Sequence, residues 1–310
     1  MDLKKYWQVL KDTFGKFVDD NVPKLGASLS YYTVFSMAPL LIIIIAVAGF
    51  IFGTDAIQGR IYGELKGLVG KDSAELIQTA IRKSADTGAG IVATIISFVT
   101  LVVGSITVFI ELQDSLNIIW KVKAKPTGKA IKDFLRTRLI SFALILAIGF
   151  LLLVSLVLSA ALVAISTFFG SIIPIPAFVL ELVNNLFSLL VITVLFGMIF
   201  KILPDVELSW KDVRIGSFVT ALLFVIGKFL IGLYIGNSTL GSTYGAAGSL
   251  AIILVWVFYS SQILFFGAEF TFVYAERLGT KIIPSEHAVK VTVETVERGK
   301  EPATKNEGHH

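Results

Sequence analysis

The sequence predicts an all-α integral membrane protein: a six-transmembrane-helix bundle with an N-terminal interfacial amphipathic helix and a short outer helical cap. Of its 310 residues, 55% are hydrophobic and 16% are charged, and the mean hydropathy is +0.80. A soluble domain carries roughly 25% charged residues. Six runs are long enough to cross a hydrocarbon core, which requires about 20 apolar residues. They lie near 29–52, 90–111, 139–167, 179–200, 215–235 and 248–275.

The charges that flank these runs predict the orientation of the chain. If the N-terminus is cytoplasmic, 21 Lys and Arg residues lie on the inner side and 5 on the outer side. Positive charges favour the cytoplasmic side, and aromatic residues favour the membrane interface. Trp7, Trp120 and Trp210 all fall at the inner interface under this topology. We therefore expect a multi-pass protein with the N-terminus and the C-terminus in the cytoplasm.

The segment 1–28 precedes the first run and carries an amphipathic pattern. Its lysines lie away from a set of apolar residues that recur at helical spacing, namely Leu3, Tyr6, Trp7, Leu10, Phe14, Phe17 and Val18. This pattern is typical of a helix that lies in the headgroup plane with its apolar side in the bilayer. A helix that packs on a partner or on the core is the alternative. We assign 1–28 as a cytoplasmic interfacial helix and 29–278 as the transmembrane domain.

The outer segment 54–88 contains two short amphipathic patterns. The first consists of Ile57, Ile61, Leu65 and Leu68, and the second of Leu76, Ile77, Ala80 and Ile81. Asp72 and Glu75 have the three-residue spacing of a helix-starting capping box. We predict two helices that cap the outer face of the bundle, and the alternative is that they lie on the membrane surface.

Two further segments are polar. Residues 112–138 carry seven Lys or Arg residues, each of which contributes about 1 kcal/mol to binding of an anionic membrane surface. We predict that this loop contacts anionic lipid headgroups. The alternative is that its charges only fix the orientation of the chain in the membrane. Residues 279–310 are polar without a helical period, so we expect a mostly disordered cytoplasmic tail.

Several polar side chains fall inside the predicted spans. Ionisable groups there are costly, face a bundle interior or water, and mark functional sites. A rise of about 1.5 Å per residue places one set in the outer half as a candidate polar path: Lys228, Asn184, Asn185, Glu181 and Gln262. A second set forms a candidate acidic cluster at the inner end: Glu269, Glu111 and Asp114. The alternative role is interhelical hydrogen bonding, and a lysine can also extend towards the interface.

Glycine and proline positions predict local backbone features. Gly232 and Gly236 have the spacing of closely packed membrane helices. Gly241 and Gly245 fall in the predicted outer turn, where a positive φ or a re-entrant backbone would require glycine, and a tight turn is the simpler alternative. Pro39 lies near the middle of the first run and predicts a kink in that helix after Ser36.

The composition excludes several classes of site. The chain has no cysteine, and its histidines are His287, His309 and His310, all outside the predicted spans. Thiolate chemistry, cysteine-ligated metals and a membrane-embedded histidine relay are therefore excluded. The phosphate-binding, dinucleotide-binding, zinc-protease and serine-hydrolase motifs do not occur. We predict no enzyme activity, no metal, no cofactor and no nucleic-acid partner.

Four short motifs together resemble the YihY/virulence factor BrkB family of bacterial inner-membrane proteins, formerly labelled ribonuclease BN. Two lie in the first half: Gly26-Ala-Ser-Leu-Ser-Tyr-Tyr32 with Pro39, and Ser115-Leu-Asn117 with Trp120. Two lie in the second half: Leu203-Pro204 with Trp210 and Gly216, and Tyr244-Gly245 with Trp256 and Gly267-Ala268-Glu269. Lys228 also matches a position at which the family tends to place a basic residue.

The resemblance implies a six-helix protein of the bacterial inner membrane, from a family associated with virulence and with traffic of envelope lipids or other solutes. A ribonuclease would need a metal cluster or an acid and base beside an RNA-binding surface, so we reject that activity. We expect a transporter or flippase-like protein for an amphiphilic or small polar solute, without a nucleotide motor. The alternative is a non-transporting membrane scaffold for envelope maintenance. The sequence names neither the solute nor the oligomeric state.

Overall fold

A computed structural model describes residues 3–85, 107–125, 177–237, 240–280 and 282–292. These ranges are mostly helical. The helices are α1 (Leu3–Asp19), α2 (Val22–Phe52), α3 (Thr54–Val69), α4 (Lys71–Ala85), α5 (the helical residues 107–119), α6 (Ala177–Ile202), α7 (Trp210–Asn237) and α8 (Leu240–Leu278). The strands are β1 (Val122–Ala124), β2 (Val206–Glu207), β3 (Ile283–Pro284) and β4 (Ala288–Lys290).

Within the described ranges, three helices are long and apolar enough to cross a membrane. They are Leu182–Ile202 in α6, Trp210–Tyr234 in α7 and Ala247–Leu278 in α8. These helices coincide with the last three predicted spans, and α2, with 31 residues, covers the first. The predicted spans near 90–111 and 139–167 lie largely or wholly outside the described residues.

The helix α8 packs against more of the described helices than α6 does, and α6 packs mainly on α7. The helix α8 is 39 residues long and contacts α7, α2, α1 and α4. Trp120, Phe200 and Phe265 belong to a hydrophobic cluster at the end where α1 lies, which we call the α1 end. Ile45 and Ile253 belong to a second cluster at the opposite end, which we call the cap end.

The helices α3 and α4 pack on the bundle at the cap end. Both contact α2, and α4 also contacts α8. Ile77 and Ile81 are buried in the cap-end cluster, and the Ser73 hydroxyl donates to the Ser249 carbonyl over 3.3 Å. Gly70 separates the two helices with a φ of +83°, a conformation that glycine adopts without steric cost. The helices α3 and α4 therefore pack on α2 and α8, and their position on the outer side of the membrane remains a prediction.

The apolar side of α1 is partly buried. Val9 and Thr13 are buried, and the Phe14 and Phe17 rings lie 5.0 and 5.9 Å from the ring of Phe266 in α8. Trp7 is 69% exposed, although it lies on the same side of the helix as Phe14, seven residues later. One edge of the apolar side therefore packs on α8, as the alternative prediction allowed. Placement of the exposed edge in the headgroup plane remains a prediction.

The glycines of α7 and α8 correct part of the sequence analysis. A Cβ added at Gly232 would meet no atom of the described residues within 4 Å, so no described helix packs closely at Gly232. Gly236 lies in α7, and Gly241 and Gly245 lie in the first turns of α8. The prediction that the last two form the outer turn is therefore wrong, because α8 begins at Leu240.

The closest approach of α7 and α8 occurs at two other glycines. A Cβ at Gly216 would lie 1.8 Å from Thr271 Oγ1, and a Cβ at Gly267 would lie 1.9 Å from Thr220 Oγ1. Each threonine hydroxyl donates to the carbonyl four residues earlier in its own helix, at 2.7 Å for Thr220 and 2.6 Å for Thr271. Each of the two antiparallel helices thus has a Gly-xxx-Thr unit, and the glycine of each unit faces the threonine of the other. We call this the reciprocal Gly–Thr contact.

The first part of the segment 279–310, which the sequence predicts to be mostly disordered, is folded. β4 pairs antiparallel with β1, with Ala288 opposite Ala124. β3 pairs antiparallel with β2, with Pro284 opposite Val206. These backbone hydrogen bonds connect the tail to the segments that follow α5 and α6. Residues 293–310 lie outside the described part.

The predicted basic loop also begins later than expected. The helix α5 continues to residue 119, so it includes the first residues of the segment 112–138. β1 follows directly, and Lys125 Nζ donates to the Glu286 carbonyl over 2.8 Å. The part of the loop beyond residue 125 lies outside the described residues, and its binding to lipid headgroups remains a prediction.

Asp212 holds the junction between α8 and the tail. Its Oδ2 atom accepts hydrogen bonds from the Thr280 backbone N–H over 3.0 Å and from the Thr280 hydroxyl over 2.6 Å. We expect Thr280→Val to lower the free energy of unfolding by about 1 kcal/mol, the typical net value of one hydrogen bond. Thermal unfolding in detergent measures this change. The exposed Thr79→Val variant is the control, and an equal loss in both variants would contradict the prediction.

Candidate functional site

The candidate site surrounds Glu269 of α8 at the α1 end. Glu269 is 0% exposed, and neither of its carboxylate oxygens has a hydrogen-bond partner among the described residues. Its carboxyl group lies within hydrogen-bonding reach of Asp20, and Lys16 and Lys121 are close enough for their charges to act on it. Burying a polar group without a partner is costly, so this position calls for a chemical explanation.

The turn between α1 and α2 places Asp20 in the site. α1 ends at Asp19, and Asn21 then adopts a φ of 51°, which asparagine tolerates better than most residues. The Asp20 side chain is 10% exposed, and its Oδ1 atom forms an ion pair with Lys121 Nζ. Asp20 Oδ2 is buried without a partner. Lys121 itself follows α5 with a φ of 55°.

The surroundings of this pair include buried aromatic side chains. The ring of Trp120 is 1% exposed and lies edge-on to Phe272 at 5.7 Å. Lys16 Nζ lies 4.7 Å from the centre of the Phe272 ring and 3.8 Å from Glu276 Oε2. Electrostatic interactions are stronger in such an interior than in water. We call Glu269 and Asp20 the carboxyl pair.

The predicted acidic cluster of Glu269, Glu111 and Asp114 is not the arrangement in the structure. Asp114 is exposed and lies near Glu111 and Asp205; partial desolvation and these two carboxylates raise the pKa of Asp114. Glu111 and Asp114 share a face of α5 because they are three residues apart. That face meets the segment after α6, whereas Glu269 meets the α1–α2 turn.

A second polar contact joins two of the sequence motifs. Asn117 Nδ2 donates to Asp205 Oδ2 over 2.9 Å, and the Asp205 backbone N–H donates to Asn117 Oδ1 over 2.8 Å. Gln113 Nε2 lies 3.4 Å from Asp205 Oδ1. The motif Ser115-Leu-Asn117 is thereby fixed to the residue after Leu203-Pro204. We call this the Asn117–Asp205 contact.

The residues of the predicted outer polar path do not converge on Lys228. Lys228 is exposed and lies with Trp256 and Tyr259 in a shallow groove between α7 and α8 that has no room for a water molecule. Gln262 instead faces α2, where a Cβ at Gly26 would lie 1.9 Å from its Nε2 atom. Gln262 points away from Lys228 because its side chain lies on the α2-facing side of α8.

The remaining members of that path lie on α6. Asn184 and Asn185 are exposed, and the side chain of Glu181 lies outside the described part. Asp20 and Asp205, which do take part in buried polar contacts, were absent from the sequence prediction. Asp20 lies in a hydrophilic stretch outside the predicted spans, so nothing in the sequence distinguishes it. In the ranges that the structure covers, no group of three or more His, Cys, Asp or Glu side chains is arranged to hold a metal ion.

Comparison with known proteins assigns the family. The family described as virulence factor BrkB matches residues 13–291. The chain belongs to the virulence factor BrkB family. This finding confirms the resemblance carried by the four motifs, and the matched range includes the carboxyl pair, the Asn117–Asp205 contact and the reciprocal Gly–Thr contact. No solved structure matches the chain.

The curated relatives of this BrkB-family chain are named UPF0761 membrane proteins. One from Ralstonia nicotianae is 28% identical over 253 residues, which are 81% of this chain and 55% of that protein. One from Rhodospirillum centenum is 26% identical over 277 residues, 88% of this chain and 59% of that protein. One from Psychromonas ingrahamii is 27% identical over 281 residues, 87% of this chain and 88% of that protein. The chain thus spans less than two thirds of the first two relatives. It is a mostly helical membrane protein.

Proposed function

We propose that this BrkB-family protein is a transporter or flippase-like protein for an amphiphilic or small polar solute and that it acts without a nucleotide motor. In this proposal it crosses the bacterial inner membrane six times, with both termini in the cytoplasm and the α1 end on the cytoplasmic side. The observation that carries the proposal is the exposed Lys228 on an otherwise apolar face of α7. Val225 and Phe229 near it on the helix are 41% and 67% exposed.

The position of Lys228 along α7 supports this reading. It lies nine residues before Asn237, the end of the helix, which corresponds to about 13 Å at 1.5 Å per residue. A lysine at the centre of a membrane helix costs about 2.5–3.5 kcal/mol. An anionic headgroup or carboxylate that pairs with the ammonium group would offset part of this cost. Part of the lysine stem can also extend towards the interface.

The groove beside Lys228 offers apolar contacts to an amphiphile at the surface of the bundle. Its walls include Trp256, Tyr259 and Ile263, which offer apolar area and one phenolic hydroxyl. The Ser260 hydroxyl donates to the Trp256 carbonyl over 2.9 Å, so its hydrogen is already engaged by the backbone. Lys228 is thus the charged member of a mainly apolar lining. The groove is too narrow to enclose a solute, so in this proposal the amphiphile lies along the surface of α7 and α8.

The test uses the purified protein in liposomes that contain a fluorescent anionic phospholipid. Membrane-impermeant reduction of the outer-leaflet fluorophore measures its transfer between leaflets. We expect the protein to accelerate transfer relative to empty liposomes and Lys228→Met to reduce the rate about tenfold, equivalent to about 1.4 kcal/mol. Lys228→Arg should retain most of the rate because it keeps the charge.

Lys211→Met is the matched control, because it is the same change at an exposed position of the same helix. It should transfer the probe at the wild-type rate. An unchanged rate in Lys228→Met, at equal amounts of reconstituted protein, would remove Lys228 from the mechanism.

The alternative is a non-transporting membrane scaffold. The Asn117–Asp205 contact favours it, because those buried polar groups are engaged with each other and not with a solute path. In the liposome experiment, a scaffold would leave the transfer rate at that of empty liposomes. A wild-type rate above that baseline would contradict the scaffold.

A further inference from the structure

We infer that Glu269 and Asp20 form a proton-binding site, in which one proton is shared between the two carboxyl groups. The inference concerns the carboxyl pair at the α1 end and does not depend on Lys228 or on transport. It rests on burial, on missing hydrogen-bond donors and on the groups that surround the pair.

The hydrogen bonds of the pair are incomplete without a proton. An ionised carboxylate is an acceptor on both oxygens and has no hydrogen to donate. Three oxygens of the pair, namely both of Glu269 and Oδ2 of Asp20, are buried without a donor among the described residues. One proton turns either carboxyl into a donor to the other. It therefore satisfies an oxygen on each side with a single strong hydrogen bond.

The surrounding charges leave Glu269 uncompensated. The charged groups that act on it come from three elements: Lys16 from α1, Asp20 from the α1–α2 turn and Lys121 from the segment after α5. Lys121 is already engaged with Asp20 Oδ1, and Lys16 lies beside Glu276. Two adjacent buried carboxylates disfavour joint ionisation. A proton removes one of the two negative charges where the described residues provide no further cation.

A proton fits this site better than a metal ion. The described residues offer no group of three or more His, Cys, Asp or Glu side chains for a metal. A hard cation prefers six or more oxygen ligands, whereas the pair presents three unpartnered oxygens. A proton needs only two of them. The ligand is therefore a proton, and a bound sodium ion is the competing outcome that the experiment must separate.

The experiment is infrared spectroscopy of the full-length protein in nanodiscs across a pH titration. A protonated carboxyl has a carbonyl stretch that is well separated from the bands of an ionised carboxylate. We expect such a band at neutral pH in the wild type, its loss at alkaline pH, and no change when sodium is replaced by choline. Absence of the band at neutral pH, or its appearance only when sodium is removed, would overturn the inference.

Variants assign the band to the pair. Glu269→Gln is nearly isosteric, and its amide donates to Asp20 in place of the proton, so it should fold and lack the band. Asp20→Asn places an amide donor beside Glu269 and favours the ionised form. We expect at least a tenfold smaller ratio of protonated to ionised Glu269, which moves the midpoint of the band's titration down by one pKa unit.

The matched control is Asp19→Asn, the same change at the exposed neighbouring residue, which should leave the band and its titration unchanged. A band that survives in Glu269→Gln, or one that responds equally to Asp19→Asn and Asp20→Asn, would overturn the assignment. The wild-type titration requires no variant, so the inference can fail even if Asp20→Asn does not fold.

Discussion

Gly216→Ala should destabilise the protein by about 1–3 kcal/mol, the usual range for overpacking a well-packed contact. The added methyl group would lie 1.8 Å from Thr271 Oγ1 and 2.7 Å from Thr271 Cβ. Thr271 has little freedom to withdraw, because its hydroxyl donates to the Gly267 carbonyl over 2.6 Å. The helices α7 and α8 would have to separate. Thermal or denaturant unfolding of the detergent-solubilised protein measures the loss.

Gly232→Ala is the matched control, because it is the same substitution in the same helix at a position where a Cβ meets no atom of the described residues within 4 Å. It should be neutral or stabilising by up to about 1 kcal/mol, since alanine favours a helix more than glycine. Adding Thr271→Gly to Gly216→Ala should recover part of the stability by making room for the methyl group. Equal effects of Gly216→Ala and Gly232→Ala would show that the reciprocal Gly–Thr contact does not govern packing.

Asn117→Leu should lower the free energy of unfolding by about 2–4 kcal/mol. The substitution removes the amide that donates to Asp205 Oδ2 over 2.9 Å and the oxygen that accepts from the Asp205 backbone N–H over 2.8 Å. A hydrogen bond to a charged group contributes about 1.5–3 kcal/mol, and a donor left unpaired adds its own cost. Unfolding in detergent, followed by tryptophan fluorescence, measures the change.

Asn185→Leu serves as the control for Asn117→Leu. It is the same substitution on α6, at an asparagine that is exposed, and it should be neutral within about 0.5 kcal/mol, as surface changes usually are. Retention of wild-type stability in Asn117→Leu would contradict the role assigned to the Asn117–Asp205 contact. A comparable loss in Asn185→Leu would instead indicate that α6 packs through that residue.

Sequence reasoning predicted the long helices well because their signal is strong. The predicted spans 179–200, 215–235 and 248–275 fall within α6, α7 and α8, since long uncharged apolar runs have few alternatives in a bilayer. The two cap helices were also predictable, because Ile77 and Ile81 repeat at helical spacing on one face. The four short motifs then indicated the protein family, which hydropathy alone does not indicate.

The contacts between helices could not be predicted in the same way. Depth along a span places Glu269 and Asp114 at one level, but rotation about the helix axis decides which neighbour each one meets. Gly232 and Gly216 look alike in the sequence, and the position of Thr271 on α8 distinguishes them. Nothing in the sequence indicates that Asp20 is buried, because its burial depends on a turn and on Lys121, which is distant in the chain.

The length of α8 makes the tilt of this helix dependent on the thickness of the membrane. Its 39 residues extend about 58 Å at 1.5 Å per residue, about twice the 30 Å of a typical hydrocarbon core. A helix of this length tilts or protrudes, and its tilt follows bilayer thickness. Ile253 and Glu269 belong to this one helix: Ile253 lies in the cap-end cluster, and Glu269 is a member of the carboxyl pair at the α1 end. A thinner or thicker bilayer therefore displaces both contacts together, which makes lipid chain length a physical variable for this protein.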